Sequence, residues 1–188
     1  MSKTLSICVY CGSRTGNNPI LAEKAIELGR LMARHNIQLI YGGARIGIMG
    51  GIASSIMEHN GKAIGIIPHH LDETEVANRG ISELHIVDDM HIRKRLMSEK
   101  ADAFIIMPGG LGTLDETFEM LTWKQLGLHN KPIIFYNMLQ FWDPLLKLIH
   151  YIVDNGFAEK STFSFYEVAD NINDIMKIIQ SHFPFIEL

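Results

Sequence analysis

The stretch "ADAFIIMPGGLGTLDETFEML", residues 101–121, decides how the chain is read. An apolar run ends at a proline. Three glycines and a threonine follow within five residues, and then apolar residues recur at helical spacing. The unit is strand, glycine turn, helix. Its neighbours repeat it. "LSICVYCGSRTG" (5–16) leads into the helical pattern "NPILAEKAIELGRLMARHN" (18–36), with Leu21, Ala25, Leu28 and Met32 on one face. "IQLIYGG" (37–43) leads into "IMGGIASSIMEHNG" (48–61), where Gly61 is the expected stop. Further strands are expected at "KAIGIIP" (62–68), "LHIV" (84–87), "PIIFYN" (132–137) and near "SFYEV" (164–168). Helices are expected at 91–101, about 113–128, 141–156 and 173–180. Strands and helices that alternate this regularly predict parallel strands with right-handed crossovers. The fold class is α/β: one doubly wound, mostly parallel sheet with helices on both faces, in a single domain spanning 1–188. Segment 68–83 reads as one long, charged loop, a candidate lid or rim segment.

The chain has 188 residues, 47% hydrophobic and 20% charged, with a formal charge of −4. That size and composition supply a real core. The charge argues against sequence-independent nucleic-acid binding. No run is long enough to span a membrane. The N-terminus reads as a first strand rather than a signal peptide, so the expected compartment is cytoplasmic. Cys8 and Cys11 form a C-x-x-C, but in a strand an offset of three sends the thiols to opposite faces. They read as buried strand cysteines, and no metal site is expected.

In open α/β sheets, ligands sit beyond the carboxyl ends of the strands. Three glycine turns fall there: "YCGSRTG" (10–16), "YGGARIGIMGG" (41–51) and "MPGGLGT" (107–113). Glycine lets a ligand approach bare backbone, and a helix beginning at such a turn favours an anion. "PGGLGT" therefore reads as a phosphate cradle, with Thr113 as N-cap or phosphate ligand. No G-x-x-x-x-G-K-S/T and no G-x-G-x-x-G is present, which disfavours P-loop and dinucleotide sites.

Asp115 and Glu116 follow immediately. Adjacent helical residues diverge by about 100°, so at most one of them easily faces the cradle. A carboxylate beside a bound phosphate costs a repulsion, which suggests that it serves positive charge on the ligand, such as an oxocarbenium forming on a sugar. A second cluster, "DDMHIRKRLMSEK" (88–100), carries Arg93, Lys94 and Arg95. Arg93 stays charged at neutral pH and is suited to clamping phosphate or hydroxyls, or to orienting a carboxylate.

These residues resemble the LOG (Lonely Guy) family of nucleoside 5′-monophosphate phosphoribohydrolases. The P-G-G-x-G-T-x-x-E hallmark matches Pro108, Gly109, Gly110, Gly112, Thr113 and Glu116. The M-H-x-R-K hallmark matches Met90, His91, Arg93 and Lys94. The resemblance extends over nearly the whole chain. It implies hydrolysis of a nucleotide's N-glycosidic bond to free base and ribose 5-phosphate, without cofactor. The substrate would be AMP or a cytokinin riboside 5′-monophosphate. Arg93 and Glu116 would be catalytic. Ser13, Gly43, Glu75, Lys94, Gly109, Gly110, Gly112, Thr113 and Asp115 would bind substrate. Ala44, Arg14 and Asn78 depart from the family pattern near the pocket. The rivals are a carrier of phosphorylated pterin, the molybdenum cofactor, which shares the glycine-threonine motif, and a decarboxylase that would need pyridoxal phosphate on a lysine. The helix near 113–128 carries Phe118, Met120, Leu121, Trp123, Leu126 and Leu128, more apolar surface than one buried stripe needs. A homodimer through it is expected.

Overall fold

The computed structural model describes residues 4–72 and 76–186. Its seven parallel strands are β1 (Ser6–Tyr10), β2 (Gln38–Tyr41), β3 (Ala63–Pro68), β4 (Glu83–Val87), β5 (Ala103–Ile106), β6 (Ile133–Tyr136) and β7 (Glu167–Ala169). They lie in the order β4-β3-β2-β1-β5-β6-β7. The inner strands read as unbroken apolar runs because both faces are covered. "SICVY" and "AFII" are buried throughout.

Side-chain alternation divides the core in two. Ile7, Val9, Leu39, Tyr41 and Ile105 face the layer made by α1 (Pro19–Arg34), α2 (Gly47–Glu58) and α7 (Ile172–His182). Cys8, Tyr10, Ile40, Phe104 and Phe135 face α4 (Met90–Lys100), α5 (Leu111–Gln125) and α6 (Asp143–Asp154). Cys11 belongs to the first layer and Cys8 to the second, as their offset requires, and both are free and buried. Burial pushes both thiols well above the ordinary cysteine range, which leaves them unreactive.

Three expectations are corrected at their edges. The long helix starts at Leu111, and its N-cap is Gly110, with φ −101° and ψ −153°, so Thr113 falls inside the first turn. At the end of α2 the left-handed residue is Asn60, φ 58°, not Gly61. The Gly61 amide donates to Ile56 O at 2.9 Å, closing a Schellman turn. Segment 68–83 is not one loop: Pro68 ends β3, a short helix α3 (His69–Asp72) follows, and β4 starts at Glu83. Ala77 then pairs antiparallel with Ala44, through Arg45 N to Val76 O at 2.7 Å and Asn78 N to Gly43 O at 2.8 Å. Among the described residues, no helix is long and apolar enough to cross a membrane.

The topology fixes where a ligand can sit. β1 and β5 are neighbours, yet α1 leaves β1 for one face and α5 leaves β5 for the other. The crevice between such diverging connections is the switch point of an open sheet.

Candidate active site

A cavity of about 650 Å³ opens at that switch point. The turn after β1 and the turn after β5 meet at its base, where Gly12 N donates to Pro108 O at 3.1 Å. Each glycine turn is followed by a helix, but the three helix starts differ. At α1, Pro19 has no amide hydrogen and the Asn18 side chain accepts from Ile20 N at 3.1 Å. At α2, the Gly12 carbonyl accepts from Ile48 N at 3.1 Å and Met49 N at 3.4 Å. At α5, Gly110 offers no side-chain cap. Of the three turns, only the third leaves a helix N-terminus uncapped toward the cavity, with its unpaired amides and positive dipole end.

The glycines of that turn have separate reasons. A Cβ on Gly109 would run into the Thr113 hydroxyl. Gly110 and Gly112 have ordinary backbone angles, and a Cβ on either would meet nothing within 4 Å. The fold does not require glycine at those two positions. Both line the cavity, so the bare backbone there is open to whatever approaches from it.

One turn further along α5 lies Glu116, 6% exposed. Arg93 on α4 is equally buried and donates from Nη1 to Glu116 Oε1 at 2.9 Å. Its Nε donates to the Ile66 carbonyl within β3, at 3.0 Å. A Cβ on Gly42 would collide with the Arg93 guanidinium, so that glycine, at the end of β2, makes room for it. Burial pushes the Glu116 carboxyl up to about 7, although Arg93 pulls the other way. Arg95, two residues on, is exposed and lies 3.8 Å from Glu99 on the same helix.

Of the site residues expected from the sequence, Arg93, Glu116, Ser13, Gly109, Gly110, Gly112 and Thr113 line this cavity. Gly43, Lys94 and Asp115 stand outside its lining. Gly43, φ 77°, shapes the turn that receives Asn78. Lys94 bridges Asp115 at 3.0 Å and Glu119 at 3.1 Å, tying α4 to α5. Burial works against the Lys94 ammonium, but its hydrogen bonds to those carboxylates prevail and raise its pKa. Glu75 lies outside the described residues. Sequence reasoning did not pick out Gly42, Met49, Leu71 and Phe141, which line the cavity from four different segments. Gly42 was visible only as one glycine of a pair. The apolar three carry no local signal that separates them from core residues.

The sequence model of a family described as "Possible lysine decarboxylase" matches residues 49–179. A "Cytokinin riboside 5'-monophosphate phosphoribohydrolase" of Rhodococcoides fascians is 42% identical over 94% of this chain and 89% of its own length. A protein of the same name from Arabidopsis thaliana is 37% identical over 97% of this chain and 86% of its own. The chain belongs to the LOG family. In fold alone, this LOG protein also resembles the molybdenum cofactor binding protein of Rippkaea orientalis. That match has a TM-score of 0.72 at 20% identity and covers 96% of this chain and 98% of the other. The decarboxylase description has little to rest on in this cavity. Pyridoxal phosphate would need a lysine amine to hold it, and among the described residues no lysine lines the site. Nor, among the described residues, do three His, Cys, Asp or Glu side chains gather as a metal ion would require.

The geometry at Gly112 gives a prediction with two opposite signs. Gly112→Ala puts a methyl group into open space in the first turn of a helix, so the fold should gain about 0.4–1 kcal/mol. The same methyl enters the cavity beside the bare amides, so phosphate-bearing ligands should bind more weakly. Thermal unfolding and a ligand titration on one preparation check both. A variant that is more stable and binds as well as wild type would show that the bare backbone serves no ligand.

Proposed function

We propose that the chain hydrolyses the N-glycosidic bond of a nucleoside 5′-monophosphate, releasing free base and ribose 5-phosphate, and does so in the cytoplasm. AMP and cytokinin riboside 5′-monophosphates are the substrates we infer. The observation that carries the reading is the buried Arg93–Glu116 pair one helical turn from an uncapped helix N-terminus. The printed names of the relatives point the same way.

The roles follow from the distances. The 5′-phosphate takes the amides at the start of α5, with the Thr113 hydroxyl beside them. The ribose then lies over Glu116. As the glycosidic bond breaks, positive charge develops on the sugar, and the Glu116 carboxylate is placed to stabilise it, by orienting water or by direct attack. Arg93 is itself held by Glu116 and Ile66 O, so it presents a fixed donor to the phosphoribosyl unit. Lys94 and Asp115 support this arrangement from outside the cavity by joining the two helices that carry the pair.

A binding module remains the second reading, because the fold is shared with a cofactor-binding protein. The direct experiment incubates the pure protein with AMP, an isopentenyladenine riboside monophosphate and adenosine, and separates the products. Free base should appear from both monophosphates, and adenosine should be a very poor substrate because its phosphate is missing as an anchor. Tight binding of AMP without release of adenine would favour the module. Equal hydrolysis of adenosine would remove the phosphate from the mechanism.

The acidity of Glu116 sets the pH profile. Its carboxyl, raised to about 7, is increasingly protonated as pH falls through that value. With the carboxylate as the working form, kcat/KM should fall on the acid side with a midpoint near 7. Glu116→Gln should lose roughly 10² to 10³ in rate and lose this limb, keeping only the substrate phosphate's own ionisation near about 6. A rate that rises toward acid would instead make Glu116 the proton donor to the leaving base.

The assembly we infer is a twofold homodimer through α5. Met120 and Leu121 are buried in the chain's own second core, and Trp123 packs partly against it. Phe118, midway along the helix that bears Glu116, and Leu126 and Leu128, just past its end, stay exposed. Sedimentation of the wild type should give a dimer, and Leu126→Glu should shift it toward monomer and lower activity. A fully active wild-type monomer would end this part of the proposal.

A further inference from the structure

The site described so far is short of positive charge for a phosphate. Three charged side chains line the cavity among the described residues: Arg14, Arg93 and Glu116. Arg93 and Glu116 largely neutralise each other at 2.9 Å. A helix N-terminus contributes the equivalent of roughly half a charge, whereas a phosphate monoester carries about −1.5 to −2 at neutral pH. Arg14 is the remaining charge. It is exposed, and no described residue forms a hydrogen bond or ion pair with its side chain.

Its backbone position is set from two sides. On one side the turn after β1 abuts the glycine turn after β5. Gly12 N bonds Pro108 O, and a Cβ on Gly12 would lie 3.4 Å from the Gly109 Cα. On the other side the turn is wedged against α2, where a Cβ on Gly47 would overlap the backbone of Ser13 and Arg14. Arg14 thus starts two residues from the contact with the phosphate turn and on the cavity lining. Gly42 and Leu71, which follow β2 and β3, line the cavity beyond β1, on the side of the sheet away from β5. An unpartnered surface arginine is ordinary. One fixed at the root, lining a cavity whose other charges cancel, and adjacent to an uncapped helix N-terminus, is placed for an anion.

We propose that Arg14 is a second phosphate-binding group of this site, reaching the 5′-phosphate from the β1 turn while the α5 amides hold it from the β5 turn. This rests on the reading of the cavity as a nucleotide site, and it makes Arg14 a binding residue rather than a catalytic one. Ser13 and Thr15, its neighbours on the same turn, line the cavity with hydroxyls that can share the anion.

The test measures binding of ribose 5-phosphate by calorimetry, and AMP kinetics, for wild type, Arg14→Gln and Arg14→Lys. Arg14→Gln should weaken ribose 5-phosphate by about tenfold or more, the usual worth of one charge-assisted hydrogen bond. It should raise KM for AMP in proportion, with the loss concentrated in KM rather than kcat. Arg14→Lys should recover part of the affinity, and the wild-type affinity should fall more steeply with salt than that of Arg14→Gln. Adenosine, tested as a competitive ligand, should lose much less than ribose 5-phosphate. Unchanged binding of ribose 5-phosphate by Arg14→Gln overturns the proposal, as does an equal loss for adenosine, which would place Arg14 on the sugar or base. A wild type that binds ribose 5-phosphate but leaves AMP intact overturns the hydrolase reading alone, and the calorimetry still decides Arg14. A wild type that binds no ribose 5-phosphate overturns both.

Discussion

The Arg93–Glu116 ion pair is the interaction on which the site depends, and stability does not explain it. Taking both charges out of water costs several kcal/mol per ion, roughly repaid by their attraction and added hydrogen bonds. A well-packed apolar pair would hold α4 to α5 as firmly. The surroundings nevertheless accommodate the guanidinium from three elements: the end of β2 omits a side chain at Gly42, β3 supplies the Ile66 carbonyl, and α5 supplies the carboxylate. Arg93 is thereby fixed in position, and a fixed donor costs no reorganisation when charge develops beside it.

The same logic sorts the glycines. Gly42 and Gly109 are required by side chains that occupy their Cβ space, and Gly43 and Gly47 by positive φ. Gly110 and Gly112 are required by nothing in the chain. They leave amides bare at the one glycine-turn helix without a cap, and Glu116 follows one turn later. Three glycines followed by a carboxylate thus make sense as a single device. On the reading proposed above, the backbone amides would take the anion and the acid would stand beside the group attached to it.

Much of this was legible in the sequence because it is local or periodic. Alternating apolar runs and helical patterns gave the strands, the helices and their parallel arrangement. The offset of two between Arg93 and Arg95, about 200° on a helix, separates a buried arginine from an exposed one. What was not legible depends on contacts far apart in the chain. Nothing in "YGGARIG" says that Gly12, thirty-odd residues earlier, caps α2 and so withdraws that N-terminus from ligand binding. Nothing in M-H-x-R-K says that Lys94 turns to Asp115 and Glu119 while Arg93 enters the cavity. Thr113 looked like a cap because threonine favours that position. The extended backbone of Gly110 took it instead, which leaves the threonine hydroxyl beside the cavity.

The fold does not decide between an enzyme and a carrier, since proteins of one architecture bind and transform many ligands. On the reading proposed above, Glu116 is the residue that separates the two. A protein that only holds a phosphorylated ligand gains nothing from a buried carboxylate beside the phosphate. A carboxylate there opposes a phosphate, and the Arg93 cation 2.9 Å away offsets part of that repulsion without removing it. A hydrolase recovers that cost in the transition state, when the sugar between the two anions becomes cationic and each of them attracts it. Burial adds to the argument: it raises the acid to about 7, so the group sits where a small change in surroundings alters its charge. A buried acid with a shifted pKa beside a cavity is the kind of group that functional sites collect.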